Sequence, residues 1–305
     1  MKAGRQGGTL FVVLKTTLYE FIDDECPALA AALAYYTLFS LPALLMIVVA
    51  TTGAVFGPES AADALRAQAG DLIGEGASRQ VQNMLADASN RAAGAGWQAL
   101  IGAGALLFGA TTAFAQLQAA LNRTWELQAD PKAGGVRMFV VQRLLSFALI
   151  LVLSLLLLVS LAISAAISAA GNSLESLLGG AISVPVLAVI NNSASLLITT
   201  ALFGAMFKYL PDARLAWRTV MLGAFLTALL FMAGKTLLAW YFTATDVAGA
   251  YGAAGSVILI LVWIYYSSMI VLLGAEFTHA WAIVHGQTVV PRPGAVHLGA
   301  PPQSA

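Results

Sequence analysis

Polar and charged side chains inside long apolar segments are the residues of this chain best suited to chemistry. Asn191, Asn192, Lys235 and Glu276 each lie within or at the end of such a segment. Ionisable and amide groups are costly in hydrocarbon unless they face the interior of a helical bundle or a wet cavity. For the asparagine pair, the pattern indicates either hydrogen bonds between helices or the lining of a cavity, and both interpretations stay open.

The two charged residues of this set lead to different predictions. Lys235 lies toward the outer end of its segment, where its long stem is expected to reach the headgroup layer; a role in transport is the alternative. Glu276 ends the last apolar run and needs a partner there. The basic residues at a matching depth are Arg123, Arg143 and Arg218. The sequence does not separate a structural ion pair from a gating pair.

Motifs for catalysis or for a cofactor are weak in this sequence. The Gly-Lys-Thr triplet at 234–236 resembles the end of a phosphate-binding loop, but Leu229 stands where that motif needs Gly. The three histidines lack the spacing and the partners of a zinc site. No Ser, His and Asp set is legible, so we expect no cofactor and no enzymatic chemistry.

The elements that must position these residues are membrane-spanning helices. The chain has 305 residues, 59% hydrophobic and only 10% charged, a composition far from that of soluble proteins. Crossing a hydrocarbon core takes about 20 apolar residues. The sequence therefore predicts an all-α polytopic membrane bundle of about six transmembrane helices. The predicted spans are Ala28–Phe56, Trp97–Leu121, Phe139–Ala170, Ala181–Tyr209, Ala216–Phe242 and Tyr251–Val284.

Basic residues predict the orientation, because cytoplasmic loops retain Lys and Arg. Eleven of them lie near the chain ends and around the second and fourth connections, against three in the first connection and none in the third and fifth. Both termini are therefore predicted to be cytoplasmic. The formal net charge is zero, so there is no basic surplus for a phosphate backbone, and nucleic acid is not expected as a partner.

Three segments outside the membrane core carry separate predictions, and the transmembrane domain itself is placed at 28–285. Residues 1–27 form the N-terminus, whose leucines recur at helical spacing; this predicts an amphipathic helix in the membrane interface or, alternatively, a short packed cytoplasmic helix. The outer-side loop 57–96 is expected to hold one or two short capping helices or to be a mobile acidic loop. Residues 286–305, rich in Pro and Gly, are predicted to be a disordered cytoplasmic tail.

Several ordered sequence blocks resemble those of one family. The longest, AAALAYYTLFSLP at 30–42, follows Asp23 and Asp24. The further blocks are LNRTW at 121–125, YLPD at 209–212, YGAAGS at 251–256 and GAE at 274–276. Together they resemble the YihY/BrkB family over nearly the whole chain.

The resemblance implies a multi-pass bacterial inner-membrane protein. Members of the family are linked to virulence and serum resistance, and some to export of an envelope lipid. The first hypothesis is a transporter or flippase of an envelope lipid or small solute, and the second is a non-transporting scaffold for envelope assembly. The family's label ribonuclease BN comes a distant third, since we find neither a metal-ligand cluster nor a basic groove. Membrane lipids are the expected partners, and a homo-oligomer stays open.

Under the first hypothesis, we expect a site where the first, fourth and sixth spans meet. The candidates for lining its cavity, chosen by polarity and by the family blocks, are Tyr35, Tyr36, Asn191, Asn192 and Tyr266. The candidates for a cytoplasmic gate or for contacts with lipid headgroups are Arg123, Trp125, Arg143, Arg218 and Glu276.

Overall fold

The computed structural model describes residues 3–57, 82–83, 86, 97–130, 183–245, 251 and 254–298, and every structural statement below concerns these residues. Long helices dominate them. The six helices are α1 (Ala3–Asp23), α2 (Cys26–Phe56), α3 (Trp97–Thr124), α4 (Ser183–Tyr209), α5 (Trp217–Thr245) and α6 (Gly255–Val284). Four short strands follow helix ends: β1 (Leu127–Ala129), β2 (Ala213–Arg214), β3 (Val290–Pro291) and β4 (Ala295–His297).

Five of the six predicted spans correspond to α2 through α6, with bounds that agree within a few residues. The predicted third span, 139–170, and most of the predicted outer loop lie outside the described residues. Trp217–Phe242 and Gly255–Val284 are long and apolar enough to cross a membrane by length and composition. The described part of the chain is therefore mostly helical, while the count of about six crossings stays a prediction.

Helix α6 lies at the centre of the packing. It contacts α1, α2, α3 and α5, whereas α4 packs mainly along α5 and α2 also packs along α3. The first and sixth predicted spans therefore do meet, as α2 and α6. The fourth span, α4, has α5 as its principal neighbour instead, so the three-way meeting point expected from the sequence is not a main packing contact among the described helices.

Helices α5 and α6 approach closely through a reciprocal pair of Gly and Thr residues. A methyl group built on Gly223 would overlap the Thr278 hydroxyl, and one built on Gly274 would overlap the Thr227 hydroxyl. Each threonine is four residues after the glycine of its own helix and donates to that glycine's carbonyl, at 2.7 Å in α5 and 2.6 Å in α6. Small residues at this spacing let two helix backbones come together in a membrane.

Two strand pairs join the end of the chain to earlier connections. β1, which follows α3, pairs antiparallel with β4, and β2, which follows α4, pairs antiparallel with β3. The prediction of a disordered tail is therefore wrong for residues 287–298, and the fold is not purely α-helical. We call the end of the bundle that carries both strand pairs the strand end.

The largest buried cluster lies at the strand end. It includes the fully buried Trp125, Phe207 and Leu272, which come from the end of α3, from α4 and from α6, together with Cys26 at the start of α2. Val220 and Ala224 of α5 also belong to it, so apolar side chains from five helices pack together here. This cluster is the frame on which the polar residues described next are held.

Helix α1 lies against α6 with one face and leaves the other uncovered by described residues. Val13 is fully buried and packs with Phe277 and Ala280 of α6. Phe11 and Ile22 on the other face are about 70% exposed, at 69% and 73%. An apolar outer face suits a helix in the membrane interface, and that location stays a prediction.

Candidate functional site

A tight turn between α1 and α2 brings two polar side chains against α6. Glu25 has a left-handed backbone, with φ of 53°, and the amide of Asp24 donates to the Glu20 carbonyl at 2.8 Å. The turn lasts only two residues, so the carboxyl of Asp24 and the thiol of Cys26 face the same part of α6.

Glu276 is the residue of α6 that these side chains contact. It is fully buried, its Oε1 accepts from the Cys26 thiol at 3.5 Å, and its carboxyl lies within hydrogen-bonding reach of Asp24. Among the described residues, its Oε2 has no donor. The group is thus a buried carboxyl whose neighbours are another carboxyl and a thiol.

Arg123 covers this group from the solvent side. Its Nε lies 3.1 Å from Oδ1 of Asp24, and the side-chain exposures are 44% for Arg123 and 13% for Asp24. The sequence offered Arg123, Arg143 or Arg218 as a partner for Glu276. Among the described residues Asp24 lies between Arg123 and Glu276, so the order from solvent inward is Arg123, Asp24, Glu276.

We call these three residues and Cys26 the acidic cluster. Burial raises the pKa of Asp24 above its ordinary range, although the hydrogen bond and positive charge of Arg123 lower it. Burial also raises the pKa of Glu20, one turn earlier in α1, and the negative charges of Glu126 and Asp24 add to that rise. Burial is thus the largest cause of the raised pKa values of both Asp24 and Glu20.

Trp125 lies beside the cluster rather than at the surface. It is fully buried, its ring lies 5.2 Å from the ring of His279 at an angle of 54°, and its Nε1 has no acceptor among the described residues. A side chain in this position packs inside the bundle and does not contact lipid headgroups. Of the other gate candidates, Arg218 is exposed in the first turn of α5, and Arg143 lies outside the described residues.

The cavity-lining candidates are spread over the helix surfaces. Tyr35 and Tyr36 are exposed on α2, with their rings 5.6 Å apart. Asn192 is exposed on α4, and the side chain of Asn191 lies outside the described part. Tyr266 is half-buried on α6, where its hydroxyl packs against Gly234 of α5. The described structure does not enclose these side chains in one cavity.

A second polar group ties α3 to the connection between α4 and α5. The Asp212 carboxylate accepts from Asn122 Nδ2 at 2.8 Å and from Gln118 Nε2 at 3.2 Å, and the Asp212 amide donates to Asn122 Oδ1 at 2.8 Å. These reciprocal hydrogen bonds fix the position of the α4–α5 connection relative to the end of α3. Arg292 of the tail continues the group, since its amide donates to the Asp212 carbonyl at 2.8 Å.

Sequence reasoning singled out Glu276 and Arg123 but missed Asp24, Cys26 and Asp212 as site residues. Asp24 and Asp212 were present only as members of the family blocks. Both lie in short connections between helices, where no periodic pattern indicates which way a side chain points.

Among the described residues, no group of three or more His, Cys, Asp and Glu could hold a metal ion. The acidic cluster offers two carboxyls and a thiol, and one of those carboxyls already bonds to Arg123. What the arrangement can do chemically is to bind and release a proton, and to make or break the contact between the α1–α2 turn and α6.

Apolar helices of membrane-spanning length, a buried carboxyl on the central one and a polar connection at one end define a helical integral membrane protein. The family model described as Virulence factor BrkB matches residues 17–295. The chain belongs to that family, so the resemblance inferred from the sequence blocks is confirmed.

Curated relatives agree with this assignment. A UPF0761 membrane protein of Alkalilimnicola ehrlichii is 31% identical over 86% of this chain and 56% of its own length. One from Pseudomonas paraeruginosa is 28% identical over 84% of this chain and 59% of its own length. The chain thus spans somewhat over half the length of these relatives. A Bacillus subtilis protein named ribonuclease-like protein YfkH is 24% identical over 63% of this chain and 68% of its own length. No solved structure matches.

Proposed function

We propose that this protein is a transporter or flippase that moves an envelope lipid or a small solute across the bacterial inner membrane, with the acidic cluster as its gate. The observation that carries the proposal is the fully buried Glu276 on the most central apolar helix. An ionisable residue inside a membrane helix is expensive, and such residues commonly line transport pathways or proton relays.

The position of the cluster supports a gating role. It links α1, α2, α3 and α6 at the strand end, where Arg123 reaches solvent. The contact between the α1–α2 turn and Glu276 adds a polar attachment to the apolar packing of α1 and α2 on the central helix. Changing the charge of this contact would therefore weaken the attachment of that turn to α6.

Reconstituted protein tests the proposal. In liposomes carrying a fluorescent phospholipid analogue, we expect wild-type protein to move the analogue between leaflets, and Glu276→Gln to slow this movement about tenfold, the effect of about 1.4 kcal/mol on a barrier. Glu25→Gln is the matched control, because Glu25 is an exposed carboxyl in the same turn. Equal rates for liposomes with and without protein, for this analogue and for small solutes, would reject transport.

The class of substrate can be identified from protein purified in native nanodiscs. Mass spectrometry of the lipids that co-purify with the protein is expected to show one envelope lipid enriched over the surrounding membrane, and less of it with Arg123→Ala. A lipid profile equal to that of the bulk membrane would direct the search to small solutes.

The same proposal places the strand end in the cytoplasm. The basic residues concentrated there, including Arg123, Lys208, Arg214 and Arg218, favour that side. A single cysteine introduced at the exposed Arg218 should react with a membrane-impermeant maleimide only after the cells are opened. Labelling of intact cells would reverse the orientation.

A non-transporting scaffold is the second candidate. The interlocked Gly and Thr residues between α5 and α6, together with the strand pairs that tie the tail to two connections, favour a rigid bundle. A scaffold predicts no lipid or solute movement, and unchanged co-purification of envelope proteins with Glu276→Gln.

A further inference from the structure

The charges around Glu276 do not balance. Its carboxyl lies within reach of Asp24, and Arg123 is the one cation bonded to this pair among the described residues. If both carboxyls were ionised, the group would keep a net negative charge next to a fully buried side chain, which hydrocarbon disfavours. One proton on the pair removes that charge.

The neighbouring elements supply no second basic residue bonded to the pair. The titratable groups beside the pair, taken element by element, are Glu20 from α1, Cys26 from α2, Glu126 after α3 and His279 from α6 itself. The α5 residues Gly223 and Thr227 contact Thr278 and Gly274 of α6 instead. Glu20 and Glu126 are acids, and Gly223 and Thr227 of α5 are uncharged. His279 is buried against the ring of Trp125 and makes no hydrogen bond to the pair among the described residues.

A proton also changes the hydrogen bonding of the pair. The Cys26 thiol donates to Oε1 of Glu276, and Oε2 is left without a donor among the described residues. Two carboxylates repel each other, but two carboxyls that share one proton form a hydrogen bond. A proton held between Asp24 and Glu276 therefore turns repulsion into attraction.

We propose that Asp24 and Glu276 form a proton-binding site and that, in the transport cycle proposed above on which this inference rests, the proton is the coupling ion. The proton comes from water at the strand end and enters through Asp24, whose side chain is 13% exposed. With the proton bound, the α1–α2 turn is held to α6. When the proton returns to water, the two carboxylates repel and the turn separates from α6.

The binding site is tested without any transport measurement. In protein held in nanodiscs, infrared spectroscopy reports the C=O stretch of a protonated carboxyl. We expect such a band at about pH 7, where ordinary carboxyls are ionised, and we expect its loss in Glu276→Gln and in Asp24→Asn but not in Glu25→Gln. A spectrum that is the same in wild type and in both cluster variants from about pH 5 to pH 9 would overturn the site.

The coupling is tested in liposomes with an imposed pH gradient. We expect the gradient to change wild-type transport severalfold and to leave the residual transport of Glu276→Gln unaffected. If the infrared band is present but the gradient has no effect on transport, the coupling is wrong and the binding site stands. If the band is present and nothing is transported, the proposed function fails instead. Circular dichroism checks that each variant is folded, and Asp24→Asn, outside the helices, replaces Glu276→Gln if the latter is not.

Discussion

At the scale of single residues, the protonation state of Asp24 in the acidic cluster depends on the side chains that surround it. Asp24 bonds to Arg123 on its solvent side and faces Glu276 on its inner side. Burial and the negative charge of Glu126 raise the pKa of Asp24, whereas Arg123 and the hydrogen bond with Glu276 lower it. The balance is set by side chains that come from different parts of the chain.

The raised pKa of Asp24 predicts how stability depends on pH. A carboxyl whose pKa is higher in the folded than in the unfolded state binds protons more tightly when folded, so its contribution to stability is full at low pH and is lost as pH rises from the unfolded pKa, about 4, through the folded one. We expect the thermal midpoint of the protein in detergent to fall over this window, and Asp24→Asn to flatten that part of the curve.

Asp23→Asn is the matched control for this measurement, because Asp23 is exposed and precedes Asp24 directly. A variant of Asp24 with the same pH dependence as wild type would show that other carboxyls, such as Glu20, account for the change. Circular dichroism at each pH separates unfolding from aggregation.

The Asn122–Asp212 pair gives a second prediction at this scale. Asp212→Ala leaves the amide of Asn122 and that of Gln118 without their acceptor, and a partly buried polar group without its partner costs about 1–3 kcal/mol. We expect a lower thermal midpoint for Asp212→Ala. Asp23→Ala should leave the midpoint unchanged, and equal effects of the two variants would contradict the assignment.

Residue-scale inference from sequence found Glu276, because a carboxyl in an apolar run stands out, and it found that Arg123 lies nearby. It did not find Asp24, because Asp24 belongs to a turn whose geometry depends on the left-handed backbone of Glu25. The tyrosines of α2 are grouped with Asn191 and Asn192 on polarity and on the family blocks, and neither criterion says which face of a helix is covered.

At the scale of elements, the contact between α5 and α6 is the most constrained in the described bundle. Gly223→Ala would place a methyl group on the Thr278 hydroxyl and within 2.9 Å of its Cβ. Overpacking of this kind costs about 1–3 kcal/mol, so we expect a clear drop in thermal midpoint. Gly104→Ala in α3 is the matched control, since nothing lies within 4 Å of its added methyl.

A second substitution makes this prediction specific to the helix contact. Thr278→Ala removes the overlapping hydroxyl, so the double variant Gly223→Ala with Thr278→Ala should recover part of the lost stability. No recovery would mean that the loss arises within α5 itself.

Helices were predictable at this scale because each is a long apolar run bounded by polar or Gly-rich residues, and the ends of α4 and α6 agree with the predicted spans at Tyr209 and Val284. The strands were not. β2 and β3 have two residues each, one of them Pro291, and such segments are too short for an alternating pattern. Their pairing depends on the positions of α3, α4 and α6.

At the scale of the whole molecule, the tail connects parts of the bundle that are distant in sequence. Arg292 donates from its guanidinium to the carbonyls of Lys208 at 2.9 Å and Tyr209 at 3.2 Å, which end α4. The Leu298 amide donates to the Glu126 carbonyl at 2.7 Å. The same short segment therefore holds both the α3 and the α4 ends.

Removal of residues 287–305 is expected to loosen both connections at once. We predict faster proteolytic cleavage near 126–130 and near 211–216 in the truncated protein, together with a lower thermal midpoint. Arg292→Ala removes only the bonds to α4 and should expose the second region alone. Unchanged cleavage in the truncated protein would show that the strand pairs do not protect these connections.

The strand pairs also set an order of events during synthesis. β3 and β4 leave the ribosome after every described helix, yet their partners β1 and β2 follow α3 and α4. The connections that contain β1 and β2 therefore stay unpaired while the later helices enter the membrane. A nascent chain that stops before Val290 cannot complete either strand pair, so quality-control proteases could distinguish an unfinished copy from a finished one by the unprotected connections at this end.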